Sequence, residues 1–330
     1  MSLILFSHAN SFPAGTYGVL FRHLRARGFT VKAAEKFGHE AQYAASNNWP
    51  GLVQQLHDLA AREVEKAGEP AFLVGHSLGG FLSAMCAARH PQLARGVLLL
   101  DSPLLGGWKA HALRAAKRTQ LVGSISPGAV SRKRKSRWPS KEAALEHFRH
   151  KKAFARWDPQ MLADYIAHGT QEEDGQRVLS FDRDIETAIY NTLPDNMDAL
   201  LKRHPLRCPV AFIGGLQSEE IRQVGMAMTT RLTEGQRFLR LRLTAPGEIE
   251  PTSWVRLAAR SACAFQPPSS GESSSSTPRA SCGWRAAHMA LRNPPSEWPT
   301  RKAGSPALST SRAAKSCSCC TRPGQLLLTG

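Results

Sequence analysis

The stretch Phe72-Leu73-Val74-Gly75-His76-Ser77-Leu78-Gly79-Gly80 constrains this chain more than any other. An apolar run of strand character reaches Gly75, and the small and apolar residues from Leu78 to Arg89 continue as a helix. A strand that becomes a helix within so few residues needs a strained backbone at its apex, and glycine on both flanks leaves room for it. Ser77 occupies that apex. Its hydroxyl is lifted above the strand end and set beside a helix N-terminus. There the backbone N–H of Leu78 and the helix dipole favour a developing negative charge. Ser77 is therefore a candidate nucleophile, with Leu78 as one oxyanion donor.

The first 245 residues repeat this alternation of strand and helix. Leu3 to Ser7 reads as a short buried strand, and Phe29 to Ala34 as a weaker one. Trp49 to Lys66 carries helical periodicity through Leu52, Val53, Leu56, Leu59, Ala60 and Val64. Gly96 to Leu100 and Pro209 to Gly215 are near-continuous apolar runs, as parallel strands covered on both faces tend to be. The pattern predicts an α/β protein with a mostly parallel, doubly wound sheet. Between Pro103 and His204 the signals are helical, over Ala110–Lys117, Lys141–Arg149, Pro159–His168 and Asp184–Asn191, without a strong strand. The expected organisation is a core of residues 1–102 and 205–245 and a helical cap insertion of residues 103–204. The cap would lie over the carboxyl edge of the sheet, where open α/β sheets bind ligands.

Three segments together carry a resemblance: Phe6-Ser7-His8-Ala9-Asn10-Ser11-Phe12-Pro13-Ala14-Gly15-Thr16-Tyr17, the turn at Ser77, and Leu99-Leu100-Asp101-Ser102-Pro103. They look like the capped α/β hydrolases of the esterase, lipase and thioesterase kind, over roughly residues 1 to 230. The resemblance implies the α/β-hydrolase fold and a serine hydrolase acting on an ester, thioester or related acyl bond. No metal and no organic cofactor are implied. His8-Ala9-Asn10 matches the family's His-Gly-x-x segment with Ala in place of Gly, which makes the N–H of Asn10 the second oxyanion donor. His8 and His76 flank the site and are expected beside the substrate. Asp101 is the first choice for the acid of the triad, with Glu219 and Glu220 as alternatives at the end of the later strand.

A serine hydroxyl needs a base to take its proton. The family places a histidine after the last strand, often as Gly-x-His followed shortly by Pro. Here that place reads Thr244-Ala245-Pro246-Gly247-Glu248-Ile249-Glu250, and the histidine that follows Pro209 is His288. The alternative expectation is a non-catalytic scaffold, a pseudoenzyme or a frame-shifted chain that binds without turning over. The composition of residues 246–330, rich in Ser, Arg, Pro and Ala, reads as a low-complexity, basic, disordered tail. It is also what an out-of-frame reading of a GC-rich gene produces.

The net charge of +17 invites a nucleic-acid or anionic-surface reading, but no nucleic-acid module accompanies it. Part of the charge lies in Arg132-Lys133-Arg134-Lys135-Ser136-Arg137 and much of the rest beyond residue 250, where the only acids are Glu272 and Glu297. These read as a solvated basic face and a basic tail. Cys86 and Cys208 make no disulfide framework, and Cys317, Cys319 and Cys320 lack a paired second half for a metal. Trp108, Trp138 and Trp157 fall in the insertion, as packing residues or as the lining of an acyl pocket. No run is long enough to span a membrane and the N-terminus lacks signal-peptide character, so the expected location is the cytoplasm and the expected partner a small acyl substrate.

Overall fold

The computed structural model describes residues 1–119, 128–155, 157–215, 217–233 and 238–241. The segments 246–330 and Thr244–Glu250, with His288 and the Cys317–Cys320 cluster, lie outside the described residues.

Six strands form one sheet in the order β2-β1-β3-β4-β8-β9: β1 Leu3–Ser7, β2 Thr30–Ala33, β3 Ala71–His76, β4 Ala94–Leu100, β8 Val210–Gly215 and β9 Phe238–Leu241. Every pairing among them is parallel. Strand side chains alternate between two cores, as the period of two requires. Leu3, Leu5, Leu73, Val97, Leu99, Val210 and Phe212 face one side, where α2 (Pro50–Ala67) and α3 (Leu78–Arg89) cover them. Ile4, Phe6, Phe72, Val74, Leu98, Leu100, Ala211 and Ile213 face the other, with Phe21 and Leu24 of α1 (Gly18–Arg25). This two-sided burial explains why β4 and β8 read as unbroken apolar runs.

The chain leaves β1 for β2 in one direction and then builds β3, β4, β8 and β9 in the other. The switch point lies between β1 and β3. The segments that follow these two strands, residues 8–13 and 76–78, therefore flank the crevice at the carboxyl edge. Two of the sequence signals for binding meet there for a topological reason.

The segment between β4 and β8 contains α4 Gly107–Arg118, α5 Gly128–Lys133, α6 Lys141–Arg149, α7 Pro159–Gly169, α8 Arg183–Asn191 and α9 Met197–Arg203. Side-chain caps start three of them: Ser140 accepts from Ala143 N–H, Asp158 from Gln160 and Met161, and Asp182 from Asp184 and Ile185. This segment is not wholly helical, in contrast to the sequence expectation. It holds a three-stranded antiparallel sheet, β5 (Arg137–Trp138), β7 (Gln176–Leu179) and β6 (Thr170–Glu173), in the order β5-β7-β6. Asp174 and Gly175 join β6 to β7, both at positive φ (50° and 70°), as a tight hairpin turn of primed type demands. Among the described residues, no helix is long and apolar enough to cross a membrane.

The N-terminus of α3 presses directly on the strand ends. A Cβ on Gly79 would stand 2.0 Å from the Ser7 carbonyl oxygen, and one on Gly75 would stand 2.0 Å from the Gly79 carbonyl oxygen. Both contacts are backbone to backbone, so nothing can swing away. Gly79→Ala is expected to cost about 3 kcal/mol or more, or to prevent folding. Gly68→Ala, at a left-handed helix end with nothing near its Cβ, should cost only about 1 kcal/mol. Urea unfolding midpoints of the two variants measure the contrast.

Candidate active site

Ser77 has φ 49° and ψ −114°, a conformation that L-residues rarely adopt. Three hydrogen bonds hold the apex in place. Ser77 N–H donates to Leu100 O at 3.1 Å, Gly80 N–H donates to Ser77 O at 3.0 Å, and the Ser102 hydroxyl donates to the same carbonyl at 2.7 Å. Leu78 is the first residue of α3, so its N–H has no carbonyl four residues earlier within the helix. That donor directly follows Ser77 in the chain, in the open first turn of the helix.

On the other wall, the loop after β1 carries Asn10, which is buried, and Ser11 at φ 64°. The Asn10 amide donates through Nδ2 to the carbonyl of Glu186 in α8 at 3.1 Å, and it also reaches the Tyr190 hydroxyl. Glu186 is paired with Arg134 at 2.8 Å, and Arg134 donates to the Tyr165 hydroxyl at 3.0 Å. One residue of the expected solvated basic run is therefore drawn inward. A second, Arg137, pairs with Glu173.

The two loops are joined by Tyr17. Its hydroxyl accepts from Ala9 N–H at 3.1 Å and lies 2.8 Å from His76 Nδ1. Burial pushes the Tyr17 hydroxyl well above its usual range. Burial also lowers His76 to about 4, against a smaller opposite pull from Glu220.

His8, expected beside the substrate, is instead wholly buried beneath the loop. Its Nε2 accepts from Phe37 N–H at 2.9 Å and its Nδ1 donates to Ala9 O at 2.8 Å. Both nitrogens are committed to backbone, and burial lowers the ring to about 4. His39 is similarly engaged, with Phe37 O and Asp182 N–H. Among the described residues, no histidine nitrogen is hydrogen-bonded to Ser77.

Asp101 stands at the end of β4, in the position after Leu100, which pairs with His76. Its φ of 43° is also strained, and its N–H donates to Ile213 O at 2.7 Å. Burial raises its carboxyl to about 6. The nearby Glu220 charge adds to this, while hydrogen bonds from Ser218 and Gly215 N–H oppose it. One carboxylate oxygen, Oδ1, is buried with no hydrogen-bond partner in the structure. Of the alternative acids, Glu220 turns inward to the Ser218 hydroxyl at 3.2 Å, whereas Glu219 pairs outward with Arg222. Both lie in the first turn of α10 (Glu219–Val224), which Ser218 caps through Ile221 N–H.

The three tryptophans divide. Trp138 is buried, and Trp157 packs in an aromatic cluster with Phe12, Phe154 and Tyr165. Trp108 is 74% exposed. Glu186 and Tyr190 carry no local signal in the sequence, and nothing local marks Tyr17, Arg134 or Ser218 for the contacts they make at the site. Each enters through a contact made across the fold.

The titration of this site has a defined sign. His8 and His76 take up protons near 6.5 when unfolded but only near 4 when folded, so between these values the unfolded state binds more protons and stability falls as pH drops. Replacing His76 with Gln should make the decline in melting temperature from pH 6.5 to 4 shallower. Asp101 acts oppositely, because its folded value of about 6 exceeds the ordinary 3.8. Asp101→Asn should raise the melting temperature at about pH 7.5, with the gain gone below about pH 4.

Residues 2–171 match the family model Hydrolase_4, described as serine aminopeptidase, S33. A monoglyceride lipase homolog of monkeypox virus is 28% identical over 134 residues, 39% of this chain and 47% of that protein. The monoglyceride lipase of Homo sapiens is 31% identical over 108 residues, 32% of this chain and 35% of the relative. The chain thus spans less than half the length of these curated relatives. An E-2-(acetamidomethylene)succinate hydrolase superposes with a TM-score of 0.59 at 20% identity, covering 79% of this chain and 91% of that one. A peroxisomal α/β-hydrolase of Saccharomyces cerevisiae gives 0.60 at 13% identity, covering 87% and 83%. At such identities the likeness is one of fold.

Proposed function

The chain belongs to the S33 serine aminopeptidase family of hydrolases, and on that premise we propose that it cleaves an ester, thioester or related acyl bond of a small molecule with Ser77 as nucleophile. The carrying observation is the strained apex, where Ser77 stands at φ 49° between β3 and the open first turn of α3. In this reading Ser77 Oγ attacks the substrate carbonyl, and the N–H groups of Leu78 and Asn10 receive the charge that forms on its oxygen. The proton that Ser77 Oγ gives up on attack passes to the leaving alcohol, thiol or amine as the acyl bond breaks, and water then adds to the acyl carbonyl and returns a proton to Ser77 as the acid is released. Asp101 is the candidate acid, its buried and unpartnered Oδ1 open to a donor such as the N–H of a histidine base. The helices and small sheet between β4 and β8 act as the cap that selects the substrate.

A second reading has an observation of its own behind it. His8 and His39 have both ring nitrogens bonded elsewhere, and His76 directs Nδ1 to Tyr17. A scaffold that binds acyl ligands without turnover fits those facts.

A fluorophosphonate probe separates the two readings. Labelling of the folded chain, abolished in Ser77→Ala and with ester turnover lowered about 10²-fold or more in Asp101→Asn, is the outcome expected for the hydrolase. Folded protein that takes no label, yet binds acyl ligands, would instead establish the non-catalytic scaffold.

A further inference from the structure

Phe37, in the loop that follows β2, has both of its backbone polar groups held by imidazoles. Its N–H donates to His8 Nε2 at 2.9 Å, and its carbonyl accepts from His39 Nδ1 at 3.1 Å. At the outer ends, His8 Nδ1 donates to Ala9 O at 2.8 Å and His39 Nε2 accepts from Asp182 N–H at 3.1 Å. Backbone groups thus stand at all four ring nitrogens and fix both tautomers. A carbonyl requires a proton on Nδ1, and an N–H requires a lone pair on Nε2. The bonds run in one direction, from Asp182 N–H through His39, Phe37 and His8 to Ala9 O. They tie the loop that carries Asn10 to Asp182, the N-cap of α8.

Only a neutral imidazole can fill either place, because a charged ring has no lone pair left for an N–H. The two rings differ in how readily a proton reaches them. His8 is wholly buried, whereas His39 is half-buried, with the Phe181 ring edge-on at 4.3 Å. Burial lowers His39 from the ordinary 6.5 and Lys36 adds to this, while the bond to Phe37 O and the Asp182 charge oppose it. His39 and His8 also disfavour charge on each other. Glu35, Glu40, Tyr43, Asp58 and Arg62 are the other ionisable groups lining the cleft that His39 borders. The Asp182 carboxylate is itself engaged, accepting from Asp184 and Ile185 N–H. A charged His39 would moreover face the start of α8, whose dipole disfavours a cation.

The first turn of α8 also carries Glu186, whose carbonyl accepts from the Asn10 amide at 3.1 Å. Gly38 lies against the same turn, where a Cβ would stand 3.4 Å from Ile185. Lys36 Nζ holds Ser180 O at 2.9 Å without help from a histidine, so loss of the His39 bond acts on the residues after Ser180.

We propose that His39 is a positioning residue for the oxyanion loop. While neutral it holds the first turn of α8, and with it the carbonyl that braces Asn10; on taking a proton it lets that turn go. In its bearing on Asn10 the proposal rests on the hydrolase reading, but the joint itself does not.

Hydrogen exchange in the full chain, read by mass spectrometry over residues 180–189 and corrected for intrinsic rates, tests the joint without any turnover. From about pH 7.5 to about pH 5, protection there should fall about tenfold in the unaltered chain. His39→Gln, whose Oε1 accepts from an N–H and does not titrate, should keep its protection at both pH values, and His39→Ala should lack it at both. Strand β3 (Ala71–His76) is the internal reference for folding. Equal loss in the unaltered chain and in His39→Gln overturns the proposal, as does protection that does not change with pH. Should the variants fail to fold, the ring 15N resonances of the unaltered chain decide, since a neutral His39 with its proton on Nε2 overturns it. A fluorophosphonate then tests the link to Asn10. At about pH 5, His39→Gln should label at Ser77 about tenfold faster than the unaltered chain, and at about pH 7.5 equally fast. A charged catalytic base slows both chains alike, so a ratio of one at both pH values overturns the link. If neither chain labels at any pH, it is the hydrolase reading that fails, and the exchange result still decides the joint.

Discussion

The structure hangs on a backbone contact with no side chain in it. The first turn of α3 rests on the ends of β1 and β3 so closely that Gly75 and Gly79 admit no Cβ, and Gly80 would meet Ser102 at 2.3 Å. This contact fixes the height of the Ser77 apex above the sheet. It also sets the distance from the apex to the loop that follows β1, because Ser7, the last residue of that strand, is what Gly79 touches. The crevice is therefore dimensioned by packed main chain, which is stiffer than any arrangement of side chains.

Burial acts on the crevice in one electrical sense. It lowers His8 and His76, raises Tyr17 and raises Asp101. Two bases and two acids are all driven toward their uncharged forms. In such surroundings the remaining donors face little competition from water, and a charge that forms there interacts strongly with each of them.

Much of the sheet was legible in the sequence because its strands are buried on both faces and its helices are amphipathic. Leu78–Arg89 and Lys141–Arg149 were bounded to the residue, and the strand before Ser77 was placed by its apolar run. The small sheet in the insertion escaped for the opposite reason. Thr170–Glu173 is almost all polar and exposed, so it has no apolar pattern to read, although Asp174-Gly175 was a hairpin signal in plain view. At the site, Ser77 is a candidate through the strand–turn–helix pattern around it, whereas Asp101 enters as a candidate only through the family resemblance. The place of His8 was not legible, since nothing in a one-dimensional pattern tells a histidine that lines a crevice from one that bonds the backbone of Phe37 beneath it. Tyr17, 59 positions from His76, and Glu186, 176 positions from Asn10, lie beyond any local rule.

The bond from Asn10 to the main chain of Glu186 bears on how such a protein can be rebuilt. Its acceptor is a carbonyl, so this bond depends on the path of α8 and not on the side chain at 186, which Arg134 engages separately. Exchanging the segment between β4 and β8 for one from a relative is thus a graft whose stitches are largely main chain: Asn10 needs a carbonyl at the place of Glu186, Trp49 one at the place of Ile189, and Lys36 one at the place of Ser180.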